Sequence, residues 1–277
     1  MPELPEVETI RRTLLGEKAG APSIRGLTIN GAIIFWERTL DIPSLEEFGL
    51  RIVGQQVKDI GRRGKYMLVR LTDDTLIIHL RMSGDLWVEG QDLSLGQHYR
   101  MVLNFDNGSR LVFNDARKFG RVWLVSDPEQ VLGKLGPEPF DPALNEQNFY
   151  ESLRSRRRQL KPLLMDQTFI AGVGNIYADE ALYRARLHPL QLSSRVTQGD
   201  AARLLESIRA VLQEGIERHG ASIDWIYRGG DFQNYFGVYR RTGEPCWNCG
   251  TPIARITVGQ RGTHFCPTCQ KGNDGTA

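Results

Sequence analysis

The sequence predicts a two-domain α+β protein with a β-rich N-terminal half, a helical C-terminal half and a four-cysteine hairpin at the end. Three observations carry this. Short strand-like runs crowd between about residues 24 and 126. Helical periodicity takes over beyond about residue 147. All four cysteines fall between positions 246 and 269. A length of 277 residues suits two domains better than one small core. With 40% hydrophobic and 25% charged residues, the chain reads as globular and not disordered. No apolar run approaches the roughly 18 residues a membrane helix needs, so no membrane association is expected.

Taken in order, Val7, Ile10 and Leu14 fall at helical spacing and predict one amphipathic helix over 3–17. Strand-like runs follow at 65–71, 75–80, 99–105, 109–114 and 121–125. Turn signals such as Asp73-Asp74 and Asn107-Gly108 separate them. Closely spaced antiparallel strands of this kind suggest a sandwich or a barrel. The stretch 127–142 is rich in proline and glycine and reads as a linker. Helices are expected at about 147–155, 160–166, 175–187 and 198–218. Asp200 is read as opening the last, and Leu204, Ile208, Val211, Leu212 and Ile216 as its apolar stripe. Residues 220–238 are glycine- and aromatic-rich without a clear period, a length of loop that is usually functional. The domain boundaries expected are 1–128, a linker at 129–142, 143–238, 239–271 and a disordered tail at 272–277.

The net charge is only +2, but the charge is unevenly placed. Residues 151–162 carry Arg154, Arg156, Arg157, Arg158 and Lys161 against Glu151 alone. Residues 240–269 carry Arg240, Arg241, Arg255 and Arg261 against Glu244 alone. Concentrated basic segments fit a polyanion bound on one face. A solvated charged face accounts for them about equally well. The N-terminus, MPELPEVE, is acidic and lacks the basic and apolar regions of a secretory signal, so the cytoplasm is the expected compartment.

Cys246-x2-Cys249 and Cys266-x2-Cys269 are separated by sixteen residues. Two such turns present four thiolates to one tetrahedral centre, and a cytosolic chain seldom relies on disulfides, so one structural zinc ion is expected. His264 lies nearby, but four thiolates already close the site. A closed site leaves no open position for chemistry, so the metal folds the hairpin, which turns near Gly259–Gly262 and carries Arg261 at its tip.

Other motifs say less alone. Ala-Gly-Val-Gly-Asn at 171–175 opens a helix and suits a phosphate, although an ordinary helix cap explains it at least as well. His79-Leu-Arg-Met-Ser-Gly and Asp115-Ala-Arg-Lys-Phe-Gly form two turns that present Met82, Arg117 and Phe119. Such a trio would make a wedge for a base stack, yet Met82 and Phe119 each read first as core packing. Pro2 would carry a free secondary amine if Met1 were removed. An α-amino group has a pKa of about 7.7–8.0, so part of it is a free base at neutral pH. Glu3 adjoins it and could move protons, but Pro-Glu at a terminus is commonplace.

Together the motifs resemble one family, the formamidopyrimidine-DNA glycosylases (Fpg) of the Fpg/endonuclease VIII superfamily. The resemblance rests on PELPEVE at 2–8, RRGKY at 62–66, HLRMSG at 79–84, DARKFG at 115–120, LGPEP at 135–139, KPLLMDQ at 161–167, AGVGNIYADE at 171–180 and the hairpin ending QRGTHFCPTC. It implies an N-terminal antiparallel β-sandwich flanked by helices, then a helix–two-turns–helix domain and a zinc finger. The partner implied is damaged double-stranded DNA, bound by a monomer.

Roles carry over residue by residue. Pro2 resembles the Schiff-base nucleophile and Glu3 its acid/base. Lys65 resembles the lysine that assists base removal. Arg261 and Asn175 resemble the phosphate grip, with Arg261 also tied to δ-elimination. Glu6 resembles a residue that supports the lesion. His79, His98, Arg156 and Arg157 match DNA contacts, with the register in the arginine run open. Met82, Arg117 and Phe119 match the wedge, which overturns the core-packing reading. The segment 220–238 resembles a loop that closes over 8-oxoguanine, with Ser222 near its start; Trp225, Tyr227 and Phe232 in it could equally be packing residues. The implied activity is excision of oxidised purines followed by β,δ-elimination in base-excision repair. The alternatives are a pyrimidine-preferring endonuclease VIII-like enzyme and a catalytically silent lesion-binding protein.

Overall fold

The computed structural model describes residues 1–18, 20–223 and 229–271. The chain forms two compact units, one of 1–134 with 219–230 and one of 135–218 with 231–277. Among the described residues, no helix is long and apolar enough to cross a membrane.

The first unit opens with α1, Leu4–Leu14. Glu3 and Glu6 cap it reciprocally, Pro5 sits in its first turn, and Val7, Ile10 and Leu14 face inward. Strands β1 (Ile29–Ile34) and β2 (Leu40–Ile42) and helix α2 (Leu45–Ile52) follow. Then come β3 (Asp59–Arg63), β4 (Tyr66–Arg70), β5 (Thr75–His79), β6 (Gly84–Gly90), β7 (Tyr99–Phe105), β8 (Ser109–Asp115) and β9 (Arg121–Val125).

Two sheets result, with orders β1-β7-β8-β6 and β2-β9-β5-β4-β3. One core fills the space between them. It includes Met101, Phe105 and Phe113 from the first sheet, Met67, Ile78 and Leu124 from the second, and Phe48 and Ile52 from α2. The sandwich is thus present, but it is not wholly antiparallel, because β2 runs parallel to β9.

The stretch read as a linker is ordered. Residues Glu129–Leu132 form a helical turn, α3. Gly136 donates its N–H to Gln167 O at 2.8 Å. A β-carbon at Gly136 would come within 2.6 Å of the Thr168 carbonyl oxygen, so the segment lies tight against its own unit.

The second unit contains α4 (Glu146–Arg154), α5 (Leu160–Leu164), α6 (Asn175–Arg184) and α7 (Gln198–Glu217). Thr197, not Asp200, caps α7; Asp200 sits at the third helical position and completes a capping box. The stripe Leu204, Ile208, Val211, Leu212 and Ile216 is buried, as its spacing predicts. Gly215 on α7 lets Tyr177 of α6 approach, since a β-carbon there would meet its ring at 2.5 Å. Phe232 is fully buried and stacks on Tyr177 with ring centroids 5.3 Å apart, so it is a packing residue. Strands β10 (Ala254–Val258) and β11 (Arg261–Phe265) form the terminal hairpin.

Candidate functional site

In the first unit, Pro2 is buried directly ahead of α1. Glu6 Oε2 accepts the Glu3 N–H at 2.7 Å. Burial lowers the pKa of the Met1 amino group, Glu3 and Glu6 draw it up, and Lys65 and Arg117 push it down. Four of the residues singled out in the sequence therefore act on the nitrogen one residue ahead of Pro2.

Lys65 occupies the β3–β4 turn and is only 3% exposed. His79 ends β5 opposite Tyr66, whose ring lies 4.5 Å from its own. His79 Nδ1 accepts the Arg81 N–H at 3.0 Å. Burial first, then the charges of Arg81 and Lys65, pushes its pKa down to about 3, so the imidazole is neutral.

The two turns differ in how far they expose their side chains. Phe119 is 50% exposed, with the Arg117 guanidinium 5.2 Å above its ring. Met82 is half-buried. Core packing is therefore excluded for Phe119. His98 is exposed, and its carbonyl accepts the Asp115 N–H at 2.9 Å.

Glu6 also reaches the start of the 220–238 segment, where its Oε1 accepts the Ala221 N–H at 2.8 Å. Ser222 binds the far side of that segment. Its Oγ donates to Gly230 O at 2.9 Å and accepts the Gly229 and Gly230 N–H groups at 3.2 and 3.0 Å. Trp225, Tyr227 and the tail 272–277 lie outside the described residues.

In the second unit, Asn175 opens α6. Its Nδ2 donates to Gly262 O at 3.3 Å and to the Tyr239 hydroxyl at 3.4 Å. Its Oδ1 is buried and has no hydrogen-bond partner among the described residues. The helix start and the residue after Arg261 are thus joined directly, and Arg261 itself is exposed.

Two buried carboxylates hold this arrangement, and sequence reasoning missed both. Asp179 Oδ1 pairs with Lys161 Nζ at 2.5 Å, while its Oδ2 accepts the His264 backbone N–H at 2.9 Å. Lys161 Nζ also donates to the Asn175 carbonyl at 2.7 Å. Glu180 accepts the N–H groups of Gly237, Val238 and Tyr239, and burial nevertheless raises its pKa. Their signal was present in the motif AGVGNIYADE, as adjacent acids beside apolar residues.

The basic run resolves into distinct roles. Arg158 pairs with Asp166 at 2.5 Å, Arg156 lies over the Phe169 ring at 5.5 Å, and Arg154 donates to Ser194 O. Arg157 is exposed and makes no hydrogen bond or ion pair among the described residues.

The Sγ atoms of Cys246, Cys249, Cys266 and Cys269 all lie within 4.8 Å of one another. Zn–S bonds of about 2.3 Å place tetrahedral thiolates about 3.8 Å apart, so the cluster fits one zinc ion. His264 is not among these ligands, since its Nδ1 faces Asp179 Oδ2 at 3.1 Å.

Comparison with known proteins agrees along the chain. The formamidopyrimidine-DNA glycosylase N-terminal domain matches residues 1–122, the H2TH domain of the same glycosylases matches 135–226, and the zinc finger found in FPG and IleRS matches 243–272. The formamidopyrimidine-DNA glycosylase of Chloroflexus aurantiacus is 47% identical over 98% of both chains. That of Pelotomaculum thermopropionicum is 44% identical over 98% of this chain and 99% of its own. A structure of MutM in complex with DNA containing carbocyclic 8-oxo-G superposes with a TM-score of 0.89 at 38% identity, covering 98% of this chain and 100% of that one. A Lactococcus lactis Fpg bound to DNA with an abasic site superposes with a TM-score of 0.89 at 36% identity, covering 97% and 99%.

Proposed function

Because the chain belongs to the formamidopyrimidine-DNA glycosylase family, we propose that it excises oxidised purines from duplex DNA and then cleaves the strand at the abasic site. The observation that carries this reading is a buried Pro2 ahead of α1, with a buried Lys65 in the same unit and the charges of Glu3, Glu6, Lys65 and Arg117 all bearing on the N-terminal amine. Once Met1 is removed, the Pro2 amine becomes the N-terminal nitrogen.

In the proposed reaction the Pro2 nitrogen attacks C1′ and the C1′–base bond breaks, the base leaving with its electron pair and taking up a proton. The sugar ring opens to an iminium, whose fixed charge acidifies the C2′ hydrogen. Loss of that proton to a base expels the 3′ phosphate, and a second elimination releases the 5′ phosphate. Glu3 is the group best placed to move protons. Lys65, buried in the β3–β4 turn, assists base removal. Asn175 and Arg261 make the phosphate grip, with Arg261 also serving the second elimination. The zinc ion, bound by the four cysteines, holds the hairpin that carries Arg261. His98 and a member of the run Arg156–Arg158 contact the backbone, and Met82, Arg117 and Phe119 fill the gap left by the flipped base.

Borohydride trapping tests this. The processed protein should form a covalent adduct with duplex DNA carrying 8-oxoguanine opposite cytosine, and peptide mapping should place the link at Pro2. Pro2→Gly should excise severely more slowly. Absence of an adduct with wild-type protein lacking Met1 would overturn the mechanism. Faster release of thymine glycol than of 8-oxoguanine would reassign the substrate.

A further inference from the structure

Asp115 ends β8 and is fully buried. Three hydrogen-bond donors meet its carboxylate. Oδ1 accepts the Ser83 hydroxyl at 2.5 Å and the Arg117 N–H at 3.2 Å, and Oδ2 accepts the Gly120 N–H at 2.7 Å. Ser83 belongs to the turn after β5, and Arg117 and Gly120 to the turn after β8. The carboxylate therefore ties together two turns that lie 32 residues apart in sequence.

Each donor adjoins or belongs to one of the three residues of the trio. Ser83 follows Met82, Gly120 follows Phe119, and Arg117 contributes its own amide. The surroundings leave little freedom. Arg81 and Lys118 both hold left-handed backbone angles, with φ of 53° and 58°. A β-carbon at Gly84 would lie 2.5 Å from Leu80 O, and one at Gly120 would lie 2.2 Å from the Phe113 ring. Lys118 Nζ sits 4.1 Å over the Trp36 ring.

We propose that Asp115 is a positioning residue that locks Met82, Arg117 and Phe119 into one preassembled unit and so sets discrimination of the base opposite the lesion. This rests on the wedge role given above. The chemistry calls for a carboxylate. Each oxygen receives a backbone N–H, so a carboxamide must set its NH2 group against one of them in either orientation. With that bond lost, the turns would be ordered only as DNA binds, and the ordering cost would fall on the duplex complex.

The test uses the full-length, zinc-loaded protein with Met1 removed. Asp115→Asn should lower cleavage of duplex containing 8-oxoguanine opposite cytosine by roughly tenfold or more, the loss of a charge-assisted bond. It should also narrow the difference between cytosine and adenine as opposite base. Cleavage of a single-stranded abasic oligonucleotide, which has no opposite base, should fall much less than cleavage of the duplex. The fluorescence of 2-aminopurine opposite an uncleavable abasic analogue should change less on binding. Ser83→Ala, which removes one donor and no backbone contact, should give a smaller loss on the same duplex, so the inference survives a folding failure of Asp115→Asn.

Wild-type duplex behaviour in both variants would overturn the coupling. So would a parallel fall of duplex and single-strand cleavage. If the wild type cleaves neither substrate, the proposed activity fails instead, and the 2-aminopurine signal still decides whether Asp115 orders the wedge.

Discussion

Glu6 joins the start of α1 to the segment that begins at Ala221, with one carboxylate oxygen on the Glu3 N–H and the other on the Ala221 N–H. The second contact spans 215 residues of sequence. Both oxygens act as acceptors inside the first unit, where Glu6 is 2% exposed. Glu6→Ala should therefore destabilise the protein by about 3 kcal/mol, two buried charge-assisted bonds at about 1.5 kcal/mol each. Glu6→Gln, which keeps one acceptor, should fall between. Urea denaturation of the three proteins checks this, and a glutamine variant as stable as the wild type would refute the two-sided role.

His79 predicts a pH dependence. Its folded pKa of about 3 lies below the ordinary value of about 6.5. The folded state thus binds fewer protons than the unfolded state between these values. The stability this contributes is complete above pH ~6.5 and is lost as pH falls toward 3. Between pH 7 and pH 5 the wild type should lose about 2 kcal/mol more than His79→Gln, which does not titrate. Denaturation midpoints that shift equally in both proteins would remove His79 as the source.

For the metal, Cys249→Ser should release zinc and loosen the hairpin carrying Arg261. DNA affinity should then fall more than helical content, because α4 and α6 both pack on α7, in addition to the contact α6 makes with the hairpin. Metal analysis, circular dichroism and a binding assay on one preparation suffice. Unchanged affinity after confirmed zinc loss would contradict the link.

Arg157 and Arg158 should separate in a salt titration. Arg157 is unengaged, whereas Arg158 is already paired with Asp166. If Arg157 meets a phosphate, Arg157→Ala should reduce the slope of log affinity against log salt by about 0.9. Arg158→Ala should change it less. The reverse order would move the contact to Arg158.

Legibility in the sequence depends on how local the cause is. Strands β4, β5, β7, β8 and β9 are readable because apolar runs and turn residues sit side by side. Helix α2 is not, since in eight residues Leu50 is 78% exposed and blurs the stripe. β6 hides behind the Ser83-Gly84 turn, and β1 contains Asn30 and Gly31. β2 has three residues and pairs with a strand about 80 residues later, so its parallel direction leaves no local trace. The same rule divides the site. Four cysteines within one hairpin announce a metal. Asp115 and Asp179 do not announce themselves, because each takes one partner from far along the chain, 32 and 85 residues away.

The hairpin turn constrains Arg261 by parity. Gly259 and Gln260, with φ of 55° and 63°, are the only two residues between the paired Val258 and Arg261. Side chains alternate across a strand with a period of two. An Asn-Gly pair could replace this turn without moving Arg261. A slip of the strand register by one residue, by contrast, would carry the arginine to the opposite side of the ribbon. The tip therefore admits only residues that take a left-handed backbone, and Arg261 keeps its side of the ribbon for as long as Val258 and Arg261 stay paired.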